Sequence, residues 1–123
     1  MTLLDTNILI EIYKDNVEIA SSVDSIQEIA VCDVVRAELF YGARNKHELQ
    51  AISADLEGLT VLSLLPQISE MAVNLVKTYC LSHKLEFADA LIAATAILYN
   101  AALFTLNRKD FSYIPNLKLY EPK

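Results

Sequence analysis

Three carboxylates stand in apolar helical or strand-end settings where a charge is expensive: Asp5 in LLDTNILI, Glu38 in RAELFYG and Asp89 in FADALIAATA. A fourth, Asp110 in TLNRKDF, sits in a loop near the C-terminus. A carboxylate that loses water must be hydrogen-bonded, paired or bound to a cation. If the fold gathers several of them, mutual repulsion adds to the cost, and a divalent metal is the natural remedy. These acids therefore point to a metal-dependent hydrolytic site.

Each acid also has a plainer reading. Asp5 follows a strand and precedes a helix, so it can serve as a helix cap; Asn7 adds a second oxygen-bearing side chain from the same turn. Glu38 has Val34, Val35, Tyr41 and Gly42 at helical spacing and no cation placed to pair with it, which favours a functional role. Asp89 lies in a first helical turn, where a negative charge complements the helix dipole, yet Leu85, Ile92 and Ala93 turn one side of it to the core. Asp110 can be a solvated loop acid, and Thr105 either ends a strand or binds a phosphate or metal-bound water. Together, on elements that a sheet would gather at one end, the plain readings weaken.

Strands and helices must position these groups. Leu3-Leu4 form a short strand ending at Asp5, and Thr6 or Asn7 caps the helix that follows. A helical piece over 17–27 leads to a strand over 29–32, and Asp33 caps a helix over 34–41 closed by Gly42. Helix 47–56, strand 60–64, a helix opened by Pro66, and a buried Ala-rich helix over 86–100 come next. Residues 102–105 form a fourth strand and 117–120 a fifth. Short apolar strands alternating with helices define an α/β fold with a mostly parallel sheet. Ligands on such sheets gather beyond the carboxyl ends of the strands, where Asp5 and Thr105 fall.

With 123 residues, 54% of them hydrophobic, and only 2 Gly and 3 Pro, the chain reads as one domain over 1–123 without a linker or repeat. MTLLDTNILIEIYK lacks the basic start of a signal peptide, and the uncharged run 90–107 is too interrupted to span a bilayer. Cys32 and Cys80 share no ligand-like spacing and read as reduced core residues, which fits the cytoplasm. The net charge of −6 argues against a general nucleic-acid binder. The cations nonetheless cluster: Arg36, Arg44 and Lys46 flank Glu38, and Arg108 and Lys109 adjoin Asp110. Ordinary solvated helix-end charge accounts for them equally well.

In four ordered segments, LLDTNILI, RAELFYGA, DALIAATA and TLNRKDF, the chain resembles the PIN-domain ribonuclease toxins of the VapC type, from toxin–antitoxin pairs. The resemblance covers essentially the full length. It implies a PIN-like α/β/α sandwich, with a mostly parallel five-stranded sheet, and an acidic pocket binding Mg2+ or Mn2+. By carry-over Asp5, Glu38 and Asp89 are the metal-binding and catalytic acids, supported by Asn7 and Thr105. The family's fourth acid stands two residues after the threonine, here Asn107; Asp110 lies three residues further on, and its basic neighbours favour a loop-bracing role. Arg36, Arg44, Lys46 and Arg108 become candidates to hold the RNA backbone. The resemblance further implies an RNA substrate, a cognate antitoxin, DNA contact only through that antitoxin, and a homodimer. Leu9, Ile12, Tyr13, Phe40 and Tyr41 are candidates for a groove taking an amphipathic antitoxin segment, with Leu9 and Ile12 better read as core.

Two other classes compete. An aspartate-based phosphatase would need a second Asp two residues after Asp5, where Asn7 stands. A catalytically weakened PIN-like scaffold that only binds a protein is kept open by Asn107 and opposed by the intact Asp5, Glu38 and Asp89.

Overall fold

The computed structural model describes residues 1–122, and a parallel sheet in the strand order β3-β2-β1-β4 forms its centre. The chain runs β1 (Thr2–Leu4), α1 (Thr6–Tyr13), α2 (Val17–Asp24), β2 (Ile29–Cys32), α3 (Asp33–Tyr41), α4 (Lys46–Glu57), β3 (Thr60–Leu62), α5 (Pro66–His83), α6 (Phe87–Leu98) and β4 (Ala102–Phe104). A 3-10 turn over Arg108–Asp110 follows. This is the α/β fold with a parallel sheet anticipated from the alternation of elements, layered as the resemblance implies.

Leu3, Leu4, Ala30, Val31, Cys32 and Leu103 are all buried, as strands covered by helices on both faces must be. The Ala-rich helix α6 supplies a further buried run from Ile92 to Ala96 and packs extensively along α5. Small side chains let helix and sheet approach closely, so α6 is enclosed despite carrying Asp89 in its first turn.

Strand order fixes where a site can form. β1 pairs with β2 on one side and with β4 on the other, with Leu4 opposite Phe104. The chain's winding therefore reverses at β1, and the crevice beyond the carboxyl ends of β1 and β4 is the switch point where such sheets bind ligands. Asp5 and Thr105 are the residues that leave those two strands.

Four expectations need correction. The fifth strand is a single parallel bridge between Leu103 and Leu119, made by Leu103 N–H to Lys118 O and Tyr120 N–H to Leu103 O, each 2.8 Å. Asn116, in the left-handed region at φ 68°, delays the start of pairing, and Pro122 has no N–H to continue it. Asp5, not Thr6 or Asn7, caps α1; Asp33 lies within α3, whose cap is Cys32. Cys32 is buried as expected, but Cys80 is exposed, because the inward stripe of Ile68, Ala72 and Tyr79 leaves it on the solvent side of α5.

Candidate functional site

Asp5 anchors the switch point. Its Oδ1 accepts the Thr6 backbone N–H at 2.8 Å, satisfying an orphan donor at the start of α1. Its Oδ2 accepts the Thr105 hydroxyl at 2.8 Å and the Asn7 amide at 3.4 Å. Capping and site-building are thus done by different oxygens of one carboxylate. Only 6% of Asp5 is exposed, and burial pushes its pKa up; the Thr105 and Thr6 bonds oppose this, and the charges of Glu38 and Asp110 add to it.

Thr105 and Asn7 lace the two strand ends together. The Thr105 hydroxyl spends its one proton on Asp5 and accepts from Asn7 Nδ2 at 3.3 Å and from Asn107 N–H at 3.0 Å. Asn7 Oδ1 accepts the Leu106 N–H at 3.2 Å. Every hydrogen-bonding role of the hydroxyl is filled, so Asp5 Oδ2 has a fixed direction.

Glu38 reaches the site from α3. Its Oε1 accepts the Thr6 hydroxyl at 2.6 Å, an interaction across the α1–α3 contact that the sequence did not reveal. Contrary to expectation, Glu38 is exposed: α3 buries Val35 and Leu39, and the apolar neighbours Val34 and Tyr41 are themselves half-buried or exposed. Asp89 is half-buried in the first turn of α6, and its pKa is pushed up to about 6. Burial is the largest cause, followed by the charges of Asp5, Asp110, Glu38 and Glu86.

The fourth position divides between two residues. Asn107 contributes its backbone N–H to Thr105, while its exposed side chain makes no hydrogen bond among the described residues. Asp110 is exposed, and its carboxylate makes neither a hydrogen bond nor an ion pair among the described residues. Its charge nevertheless acts on Asp5, Asp89 and Tyr113. A bracing role for Asp110 finds no partner; its neighbour Arg108 pairs with Glu121 at 2.6 Å instead.

The candidate RNA-holding cations are largely occupied. Arg36 pairs with Asp33 at 2.7 Å, with its Nε buried and unpartnered, and Arg44 is held by both oxygens of Glu48. Arg108 also donates to Tyr120 O at 3.2 Å. Lys46 and Lys109 are exposed and in no ion pair among the described residues. No Lys, Arg or His pairs with Asp5, Glu38, Asp89 or Asp110 among the described residues. As the side chains stand, no three acids, cysteines or histidines of the described residues form a group that could hold one ion, and Glu38 is engaged by the Thr6 hydroxyl. The donor set itself, oxygen only and negative without a compensating cation, is what Mg2+ or Mn2+ takes.

A parallel α/β sheet with uncompensated acids at its switch point, contributed by β1, α3 and α6, describes the PIN class of domains. The PIN domain matches over residues 2–117. Ribonuclease VapC19 of Mycobacterium tuberculosis (strain H37Rv) is 32% identical over 123 residues, which cover 96% of this chain and 98% of that protein. A toxin–antitoxin complex from Klebsiella pneumoniae superposes with a TM-score of 0.84 at 30% identity, covering 100% of this chain and 98% of the other. VapBC2 of Rickettsia felis, bound to a DNA fragment from its promoter, gives a TM-score of 0.80 at 29% identity and coverages of 97% and 96%. The chain belongs to the PIN-domain family, among its VapC-type members.

Proposed function

We propose that this protein is the toxin of a toxin–antitoxin pair, an endoribonuclease that hydrolyses RNA phosphodiester bonds with Mg2+ or Mn2+ held by Asp5, Glu38 and Asp89. The observation that carries the metal-dependent reading is the mutual electrostatic loading of the acids. Asp5, Asp110 and Glu38 each raise the pKa of Asp89, and no basic side chain relieves them among the described residues. The family membership and the VapC relatives support the activity and its substrate class.

A divalent ion at this site supplies a polarised water and stabilises charge on the phosphate oxygens. The protein's own groups do the rest. Thr105 and the Thr6 N–H fix Asp5, so one ligand is set in advance of binding. Glu38 would be the ligand from α3, on releasing its bond to the Thr6 hydroxyl. Asp89, half-buried in the first turn of α6, would orient the attacking water and accept its proton. The water oxygen would bond to phosphorus, the P–O ester bond opposite would break, and the departing oxygen would take a proton from solvent. Lys46 and Lys109 are free to meet the RNA backbone, whereas Arg36, Arg44 and Arg108 must first release Asp33, Glu48 and Glu121.

A cavity of about 490 Å³ between α1, α3 and α4 supports the antitoxin as partner. Ile10, Tyr13, Leu39 and Ile52 give it an apolar floor, and Glu38 stands in its wall beside Arg44 and Asp55. An amphipathic segment lying there would reach Glu38 directly. Of the five residues expected in such a groove only Tyr13 lines it; Leu9 is core, Ile12 and Phe40 pack against the core, and Tyr41 is exposed elsewhere. A homodimer, and DNA contact made through the antitoxin, complete this reading. No helix of the described residues is long and apolar enough to cross a membrane, and the two cysteines are free; a cytoplasmic location belongs to this reading because the proposed RNA substrate is there. Purified protein should cleave RNA in Mg2+ or Mn2+, stop on addition of EDTA, and recover when the ion is restored in excess; cleavage undiminished in EDTA would contradict the metal-dependent reading.

A further inference from the structure

Three aromatic rings without a part in the hydrolytic chemistry stand at the edge of the acidic site. His83, the last residue of α5, stacks on Tyr113 with ring centroids 3.7 Å apart and planes inclined by 14°. Tyr79, one turn earlier, meets both rings edge-on, 5.7 Å from His83 and 5.0 Å from Tyr113. Ser82 Oγ and His83 Nδ1 are hydrogen-bonded at 2.8 Å, which sets the rotation of the imidazole. Tyr79 and Tyr113 are half-buried and His83 is exposed, so the stack has a covered base and an open outer ring.

Its position ties it to the acids. α5 packs along α6, whose first turn carries Asp89, and Tyr113 follows Asp110 by three residues; the Tyr113 phenol, pushed up first by burial, also feels the charges of Asp110 and Asp89. Lys84 continues from His83 as an exposed left-handed helix cap at φ 54°, and Lys109 precedes Asp110; neither is in an ion pair among the described residues. Every nucleobase presents a π face, and a ring already held in place loses little freedom on stacking. Lys84, next to His83 in the chain, and Lys109, next to Asp110, supply two exposed ammonium groups suited to the phosphates flanking such a base.

The geometry points to a nucleobase subsite, in which His83, backed by Tyr113 and braced by Tyr79, stacks on one base of a single-stranded RNA segment whose scissile phosphate lies at Asp5, Glu38 and Asp89. This rests on the ribonuclease reading and adds where the strand is gripped. Hydrophobic bracing of the C-terminal segment needs Tyr113 against α5, but does not need an exposed imidazole fixed by Ser82.

The test uses a set of short single-stranded RNAs, each with one abasic nucleotide at a different position, and the full-length wild type, His83→Ala and His83→Phe. In Mg2+, one abasic position should lower wild-type kcat/KM by about 5- to 150-fold. His83→Ala should show that loss on intact RNA and no further loss at that position, and His83→Phe should restore the wild-type pattern. Unchanged cleavage of intact RNA by His83→Ala, or equal losses at every abasic position, overturns the subsite. In parallel, 2-aminopurine is walked through the same RNA and titrated in Ca2+. Wild type and His83→Phe should quench it at one position and His83→Ala should not; equal quenching by all three, or none by the wild type, overturns the proposal. Should the wild type cleave no RNA, the ribonuclease reading fails, and the fluorescence titration still decides the stack.

Discussion

The Thr105 hydroxyl donates a 2.8 Å hydrogen bond to Asp5 Oδ2 across 100 residues of sequence, and this bond joins the carboxyl ends of β1 and β4. It fixes the most buried acid of the site before any ligand arrives. It also opposes the effect of burial on that acid's pKa.

Thr105→Val keeps the shape of the side chain and removes the donor. Asp5 would lose its largest stabilising hydrogen bond while burial, Glu38 and Asp110 still act, so its pKa should rise further. Asp5 Oδ2 would keep only the longer Asn7 contact and the Asn107 N–H would lose its acceptor, which together should cost about 2 kcal/mol. Carboxyl-carbon NMR titration and urea unfolding check the two parts; an unchanged Asp5 titration would show that the bond does not tune the acid.

Asp5 and Asp89 both titrate higher in the folded protein than the 3.8 of an unperturbed aspartate, Asp89 at about 6. Between those values the folded state holds more protons than the unfolded chain, so the metal-free protein should lose stability as pH rises from about 4 to 6, then level off. Asp89→Asn should flatten that slope and stabilise the metal-free protein at pH 7 by on the order of 1 kcal/mol, allowing for solvent screening of a half-buried group. Thermal unfolding in EDTA across this range checks it. Saturating Mg2+ should abolish the slope in the wild type as well.

Much of this arrangement was legible in the sequence, and the failures have specific causes. Asp5 and Thr105 were placed at strand ends from the apolar runs before them, but their contact depends on β4 lying beside β1, which no local pattern encodes. Glu38 was read as poorly solvated from its apolar neighbours on the helix; those neighbours are partly exposed, so the inference failed, while its partner Thr6 is supplied by another helix. The segment around Leu119 has strand-like residues, yet a left-handed Asn116 and Pro122 confine it to one bridge. His83 and Tyr113, 30 residues apart, carried no signal until the fold stacked them.

For the fourth position, Asp110 is the residue whose charge reaches the other acids, and Asn107 works through its backbone. Asp110→Asn should raise the Mg2+ concentration needed for half-maximal cleavage several-fold, with a change in stability within about 0.5 kcal/mol. Asn107→Ala should alter neither by much. A stability loss in Asp110→Asn with unchanged Mg2+ dependence would instead return Asp110 to a bracing role.

Tyr13 lines the cavity between α1, α3 and α4 and is 41% exposed, so Tyr13→Asp should leave the fold intact. It should weaken binding of the cognate antitoxin at least about tenfold, by placing a charge in an apolar contact. Calorimetric titration with the cognate antitoxin checks this, and undiminished affinity would move the docking surface elsewhere.

The central claim is that Asp5, Glu38 and Asp89 form one metal-dependent nuclease site. Its most direct measurement is single-turnover RNA cleavage in Mg2+ by wild type, Asp5→Asn and Asp89→Asn, each confirmed folded by circular dichroism. Removing a metal ligand should remove the ion's catalytic contribution, so both variants should fall by at least about a hundredfold. Wild-type cleavage rates in both folded variants would contradict the assignment.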